Sequence, residues 1–398
     1  MRDGLLALSR EKQWINEQHL QLCRIPAATF FEQRRAEWMQ AQFRALGWES
    51  QIDRGGNVIA HQPGQGSGPF VALTAHLDTV LAPRSPEDIS LGPEGRFIGP
   101  GVADNGSGLA ALLAIAKCYS LCPELAGNPL ALLLVANVGE EGEGNLGGMR
   151  YLCRQSALGP RIRSFLVLDG PATDHITCQA LASRRYEVSF SGPGGHSWSD
   201  YGVGNPVHAL ARTIASFADA HAALPSSPRS SFNFGIIEGG LSINSIPSSA
   251  RAKLDIRSES AARLEESAGA LTACVERALE IERERASAGR ITARVKEIGM
   301  RPGGKLPAGA PLLTCLKAVD AVLGIRSSLD CASTDANLPL SMGIPAVSIG
   351  AGGMGGGAHT LGEWFHPEGR DRGLKRILLT LALLLKENPA GETAPAAK

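Results

Sequence analysis

The chain has 398 residues, 43% hydrophobic and 20% charged, with 39 basic residues cancelling 39 acidic ones. That length exceeds what one hydrophobic core usually organises, so two or more domains are expected. Zero net charge excludes the basic footprint that broad nucleic-acid binding requires.

The N-terminal stretch Met1 to Trp14 has no apolar run of signal-peptide length, and nowhere do ~18 apolar residues follow one another. A soluble, cytoplasmic protein without membrane spans is the expectation. From about Leu5 to Cys178, helical stretches alternate with short apolar runs, Phe70–Ala75, Leu130–Val138 and Phe165–Leu168. Runs apolar on both faces suit strands of a mostly parallel sheet covered by helices, with Gly106–Tyr119 one such helix. From Arg184 to Ile298 the texture changes. Arg185–Phe190 alternates, Asn205-Pro206 opens a helix with the stripe Val207, Leu210, Ile214 and Phe217, and Phe232–Glu238 and Ala250–Ile256 read as strands. A long helix carries Leu264, Ala268, Leu271, Val275 and Leu279, and Ile291, Ala293 and Val295 alternate in a last strand. The order βαββαβ matches a ferredoxin-like unit with one solvated sheet face. The first texture returns after about Gly299, with helix Leu312–Val322, strand Ala346–Ile349 and a final apolar helix near Ile377–Leu385. The expected organisation is an α/β/α domain over 1–180 and 299–390, an α+β domain inserted over 181–298, and a disordered tail over 391–398. The eight cysteines lie scattered with no Cys-x-x-Cys, which reads as reduced thiols.

Glycine is the outlier of the composition: 47 residues, about 12% of the chain against a usual ~7%. Many glycines flank acidic and histidine residues that lie at strand ends. His76 and Asp78 follow the first apolar run, Asp104 precedes the helix at Gly106, Glu140 and Glu141 follow the run ending at Val138, Asp169 follows Phe165–Leu168, and His359 ends the glycine-rich stretch Gly350–Gly357. Ligands of open α/β sheets collect outside the carboxyl ends of strands. Adjacent glutamates directly after a buried run would be costly to desolvate without a cation, so the set points to a divalent metal such as zinc. The stretch Gly352–Gly357 has no Lys-Ser/Thr after it and is no nucleotide P-loop. Ser333-Thr334-Asp335-Ala336-Asn337 reads as a helix-starting cap in which Asp335 is as readily structural as catalytic.

Taken in order, His76-Leu77-Asp78, Ala103-Asp104-Asn105-Gly106-Ser107-Gly108, Gly139-Glu140-Glu141-Gly142, Asp169, Gly194-Gly195-His196 and the late His359 resemble the M20 metallopeptidases, over nearly the whole chain. Val138 to Asn145 looks closest to the peptidase T-like branch. The resemblance implies an α/β/α metallopeptidase catalytic domain with an inserted ferredoxin-like lid that also dimerises the protein. It implies two divalent metal ions, zinc first, with cobalt or manganese as alternatives. Asp104 would bridge them, His76 and Asp169 would complete one site, and Glu141 and His359 the other. Asp78 would orient His76, and Glu140 would act as the general base. His196 would stabilise the oxyanion, reaching into the partner subunit, although Trp198-Ser199-Asp200-Tyr201 departs from the family's usual continuation. Asn244 and Arg257 would hold substrate backbone and carboxylate. His19, His61, His175, His208, His221 and His366 match no family position and read as structural or surface residues.

Aspartate at position 169 tends, in the family, to accompany aminopeptidase or dipeptidase activity. The expected reaction is therefore hydrolysis of short peptides with a free amino terminus. An N-acyl-amino-acid amidohydrolase or carboxypeptidase is the alternative, and a catalytically silent binding relative the remote one.

Overall fold

The computed structural model describes residues 1–387; the tail expected to be disordered over 391–398 lies outside the described residues. The chain divides into two compact units, Met1–Ala180 with Gly304–Lys398, and Leu181–Gly303.

The first unit is built on one mixed sheet. Its strands run in the order Glu49–Ile52, Val58–His61, Ala131–Asn137, Phe70–His76, Ile162–Leu168, Ala346–Ile349, His175–Ala180 and Gly304–Lys305, with Ser328–Ala332 also on His175–Ala180. The centre is parallel, as the continuous apolar runs require: Phe70–His76 pairs parallel with both Ala131–Asn137 and Ile162–Leu168, which in turn pairs parallel with Ala346–Ile349. Every residue of Phe70–His76 and of Ala346–Ile349 is buried, so both faces of these strands are covered. The expectation of a mostly parallel sheet needs one amendment at the flanks. Val58–His61 and Gly304–Lys305 pair antiparallel with their neighbours. Helix Gly106–Tyr119 is buried at every residue but Lys117, an all-round apolar helix of the kind only a core accommodates. A small antiparallel sheet joins Met354–Gly356, Trp364–His366, Phe97–Ile98 and Ser90–Leu91, tying the segment after His359 to the segment before Asp104.

The second unit has the βαββαβ order that its alternating segments suggest. Its four antiparallel strands run Ser230–Gly239, Ser249–Ser258, Ala182–Ser191, Thr292–Arg301 across the sheet. Helices Pro206–Ala222 and Ala261–Arg285 pack on the face that carries Val188, Phe190, Ala252, Leu254 and Ile256. Asn205 and Ser260 cap these helices, each side chain accepting from backbone N–H groups of the first turn. The last strand runs to Arg301, so the unit ends a few residues beyond the expected boundary at 298.

Among the described residues no helix is long and apolar enough to cross a membrane, and all eight cysteines are free thiols. One buried ion pair closes the first unit: Arg376 donates from Nε and an Nη to both carboxylate oxygens of Asp320, at 2.6 and 2.7 Å, with the arginine side chain fully buried. Removing one partner strands a buried charge. Asp320→Ala is therefore expected to lower unfolding free energy by about 3–5 kcal/mol in a denaturant titration, and adding Arg376→Met should recover part of the loss. A single variant as stable as the parent would contradict the assignment.

Candidate metal centre and active site

The carboxyl ends of three parallel strands bring the sequence-selected residues of the first unit together. His76 is the last residue of its strand, Glu140 and Glu141 follow Ala131–Asn137, and Asp169 follows Ile162–Leu168. Gly139 takes φ +66 between Val138 and Glu140, a conformation that lets the chain turn sharply off the sheet rim. Asp104 and His359 arrive from the loops that the small sheet ties together.

Three groups of candidate ligand atoms lie within 4.8 Å of one another: His76 with Asp104 and Asp169, Asp104 with Glu141 and His359, and His76 with Glu140 and Glu141. Asp104 belongs to two of them. One of its carboxylate oxygens lies 3.1 Å from His76 Nε2 and the other 3.1 Å from His359 Nε2, while His359 Nε2 is also 3.0 Å from Glu141. His76 donates through Nδ1 to the backbone carbonyl of Asp78 at 2.9 Å, which leaves Nε2 facing Asp104. A metal-binding histidine needs this arrangement, one ring nitrogen anchored and the other presented. The expected orienting partner was the Asp78 carboxylate, but its oxygen is 3.6 Å from Nδ1, and the main-chain oxygen is nearer.

The Asp78 carboxylate has a different set of partners. It is fully buried and accepts from the backbone N–H groups of Glu140 and Glu141, at 3.0 and 2.9 Å, and from the Thr29 hydroxyl at 2.9 Å. It therefore fixes the main chain of both glutamates. Glu32 accepts from the Gly139 N–H at 3.1 Å, and Arg35, fully buried, donates to the carbonyls of Ile25 and Leu77 on either side of the same corner. Asn105, next to Asp104, donates to the Leu168 carbonyl and accepts from Gly108 at the helix start and from Gly170. Glu363 accepts from three N–H groups of the loop that ends at Asp104. Asp335 is buried and accepts from the Asn137 amide at 2.6 Å, a structural partner for the last residue of the strand that leads to Glu140.

The charges respond to this crowding. Burial works against a charged His76, yet its bond to Asp104 and the nearby negative charge of the Asp78 carboxylate outweigh it and hold its pKa well above the ordinary value. Bonds to Asp104 and Glu141 raise His359 to about 10. Asp104 is pushed down despite its burial, because both imidazoles favour its ionised form, and Asp169 is pushed up by burial and by the Asp104 charge beside it. Protons on the two imidazoles thus compensate the carboxylates where divalent ions would do so. The donor set, imidazole nitrogen and carboxylate oxygen, with Asp104 common to a group that holds His76 and a group that holds His359, fits a pair of hard or borderline divalent cations.

The remaining candidates lie in the second unit. His196 is exposed. Its ring Nδ1 accepts from the backbone N–H groups of Trp198 and Ser199, at 3.2 and 3.3 Å, and its own N–H donates to Asp200. With Nδ1 used as an acceptor, Nε2 is the ring nitrogen left to donate. The segment Trp198–Tyr201 that departs from the family pattern is thus what sets the ring. Asn244 is exposed, accepts from the Ser242 hydroxyl, and gives its carbonyl to the Ser197 N–H. Arg257 stands on the sheet face away from the helices and donates to Asp255 at 2.6 Å, so a substrate carboxylate would share or replace that partner. Of the histidines read as structural, His19 is fully buried between Val102 and Arg370, and His366 donates from Nε2 to the Glu94 carbonyl.

Comparison with known proteins agrees with this geometry. Residues 182–282 match the model of the peptidase dimerisation domain of M20 enzymes, and residues 57–192 match that of peptidase family M28. A probable carboxypeptidase of Aspergillus terreus is 32% identical over 223 residues, 50% of this chain and 47% of that protein. The chain spans about half the length of the carboxypeptidase relatives it matches. The fold is that of a tripeptidase from Staphylococcus aureus (TM-score 0.74, 18% identity, 94% of this chain and 99% of the other). It is equally that of the aminopeptidase PepT from Bacillus cereus (TM-score 0.70, 19% identity, 94% and 98%).

Metal and protons compete for the same nitrogens. Zinc added to metal-free protein near neutral pH in weak buffer is expected to release about two protons per pair of ions bound. Apparent affinity should rise with pH toward the His359 value of about 10. An affinity that does not change with pH would show that these imidazoles are not the ligands.

Proposed function

We propose that this chain, a member of the M20 family of peptidases, is a two-metal amide hydrolase that cleaves short peptides bearing a free amino terminus. The observation that carries the reading is the double membership of Asp104, which stands in one ligand group with His76 and Asp169 and in another with Glu141 and His359. A single ion has no need of a shared carboxylate between two histidines. Asp169 in place of glutamate supports the aminopeptidase or di- and tripeptidase choice. A second reading, an N-acyl-amino-acid amidohydrolase or carboxypeptidase, is favoured by the probable carboxypeptidase that is 32% identical over 50% of this chain.

Two divalent ions, zinc by the nature of the donors, would lower the pKa of the attacking water and polarise the scissile carbonyl when bound. Glu140 takes the proton from that water and hands it to the leaving nitrogen, so that the amine departs neutral. Glu140 is buried and shares a ligand group with His76 and Glu141 but not with Asp104, which suits a base beside the ions. Asp78 holds the two glutamates by their adjacent N–H groups, so that successive side chains diverge toward different tasks. His196 donates a hydrogen bond from Nε2 to the developing oxyanion, a role for which a ring already held through Nδ1 requires no reorganisation. Arg257 and Asn244 receive the carboxylate and backbone of the substrate.

A homodimer formed through the second unit completes the proposal. Its strand Ser230–Gly239 is a sheet edge with Ile236 and Ile237 exposed, an arrangement that partner chains cover.

Three outcomes test the reading. Glu140→Gln should keep its metal content while kcat falls by about 10²- to 10⁴-fold with KM little changed; equal turnover would remove Glu140 from the reaction. Against a panel of amino-blocked and carboxy-blocked dipeptides, blocking the amino terminus should abolish cleavage, and cleavage of acyl-amino acids alone would select the second reading. Mixing His196→Ala with Glu140→Ala subunits should restore part of the activity, and a mixture no better than its components would place His196 outside the partner's site.

A further inference from the structure

One buried carboxylate of the first unit lies outside the proposed chemistry. Glu363 is 2% exposed, and among the described residues no lysine, arginine or histidine lies within ion-pair distance of it. A buried charge without a cation is costly unless hydrogen bonds replace its hydration. Here they do. Oε2 accepts from the Gly101 N–H at 2.9 Å, and Oε1 accepts from the N–H groups of Ala103 and Asp104 at 2.7 and 2.8 Å. The main-chain carbonyl of the same residue accepts from Gly99 at 2.8 Å. Both the side chain and the backbone of Glu363 therefore grip the loop 99–104.

The position of this residue in the chain gives the grip its meaning. Glu363 follows His359 by four residues and precedes the short strand Trp364–His366, which pairs with Phe97–Ile98. Asp104 is reached from the other side of the same pairing. His359 takes φ +66, an uncommon conformation for a non-glycine residue that its surroundings must hold. The ladder registers residues 97–98 against 364–365 and stops there. Beyond it, the orientation of the Asp104 main chain depends on the Glu363 carboxylate, with the Val102 carbonyl pinned from the other side by His19 at 2.7 Å.

We infer that Glu363 is the positioning residue of the metal centre, setting the bridging carboxylate of Asp104 in register with His359. It touches neither substrate nor ion. Asp104 must present one oxygen toward His76 and the other toward His359, and a rotation of its backbone favours one side at the expense of the other. Because a single residue fixes Asp104 by its side chain and shares a short segment with His359, the two ligands are carried by one rigid bracket.

This inference rests on the reading of Asp104 and His359 as ligands of one metal pair. It is tested with Glu363→Gln, which keeps the shape but turns an amide NH2 against backbone N–H groups, and with Glu363→Asp, which is one methylene too short to reach all three. Leu381→Ala, a truncation in the core of the same unit, supplies a control of lowered stability. Zinc titration of the metal-free proteins is expected to give a loss of affinity of about 10- to 100-fold in both Glu363 variants, the range for partners that orient metal ligands. The Leu381 variant should bind as wild type does. With saturating metal, kcat should fall while KM stays within about twofold, and the visible spectrum of the cobalt-loaded variants should differ from wild type. Wild-type affinity, kcat and cobalt spectrum in either folded Glu363 variant would overturn the role, as would an equal loss of affinity in Leu381→Ala. A wild-type protein that binds no pair of ions would sink the metal-centre reading and this inference together.

Discussion

The structure of the first unit is governed by the repulsion between carboxylates gathered at one sheet rim. Asp104, Asp169, Glu140 and Glu141 converge there with Asp78 and Glu32 close behind. Two like charges about 4 Å apart interact by ~4 kcal/mol at an effective dielectric of about 20. Several such pairs would exceed the net stability of an ordinary domain, which is only about 5–15 kcal/mol. The rim is tolerable only if cations share it. His76 and His359 supply protonated rings in the absence of metal, which is why their pKa values rise while that of Asp104 falls. The same balance makes the place favourable for divalent ions, since each ion replaces protons with a larger charge at the same nitrogens.

Much of the surrounding architecture follows from that constraint. Three carboxylates that would not hold a metal are bound to backbone N–H groups: Asp78 to Glu140 and Glu141, Glu32 to Gly139, Glu363 to Gly101, Ala103 and Asp104. Each is a rigid tie between elements distant in sequence. Charge-assisted bonds of this kind are stronger than neutral ones, and they fix the directions of the main chain from which the candidate ligands spring. A negative charge far from a cation becomes, in this setting, a device for precision. Arg35, fully buried and donating to the carbonyls of Ile25 and Leu77, adds a positive charge near Asp78 and Glu32.

The sequence makes some of this plain and conceals the rest, for physical reasons. Central strands were legible because burial on both faces writes an unbroken apolar run, as in Phe70–Ala75 and Ala346–Ile349. The second unit was legible because its sheet buries one face, so Ala252, Leu254 and Ile256 alternate with charged residues. The candidate ligands could be found because each follows a strand or opens a helix beside glycine. Glu363 and Arg35 leave no such mark. Their burial is made tolerable by backbone groups that are close only after folding, so in one dimension they look like surface charges. The spacing His359-x-x-x-Glu363 is a hint only once the loop 99–104 is known to lie beside it. The antiparallel flanks of the first sheet were missed for a related reason: strands of two to four residues carry too little pattern to show direction.

The proposed amide hydrolysis also needs what a carboxylate rim cannot provide, a hydrogen-bond donor for the oxygen that gains charge. The second unit is chemically suited to that need. His196 has its Nδ1 occupied by the N–H groups of Trp198 and Ser199, so the tautomer with a donating Nε2 is set by the protein before any substrate arrives. A histidine placed among Asp104 and Glu141 would instead be drawn to the protonated form, as His359 is. In the proposed reading the two units place different demands on histidine: candidate metal ligand in one, hydrogen-bond donor through Nε2 in the other. The loop from His196 to Tyr201 meets that second demand by supplying the two N–H groups from its own backbone.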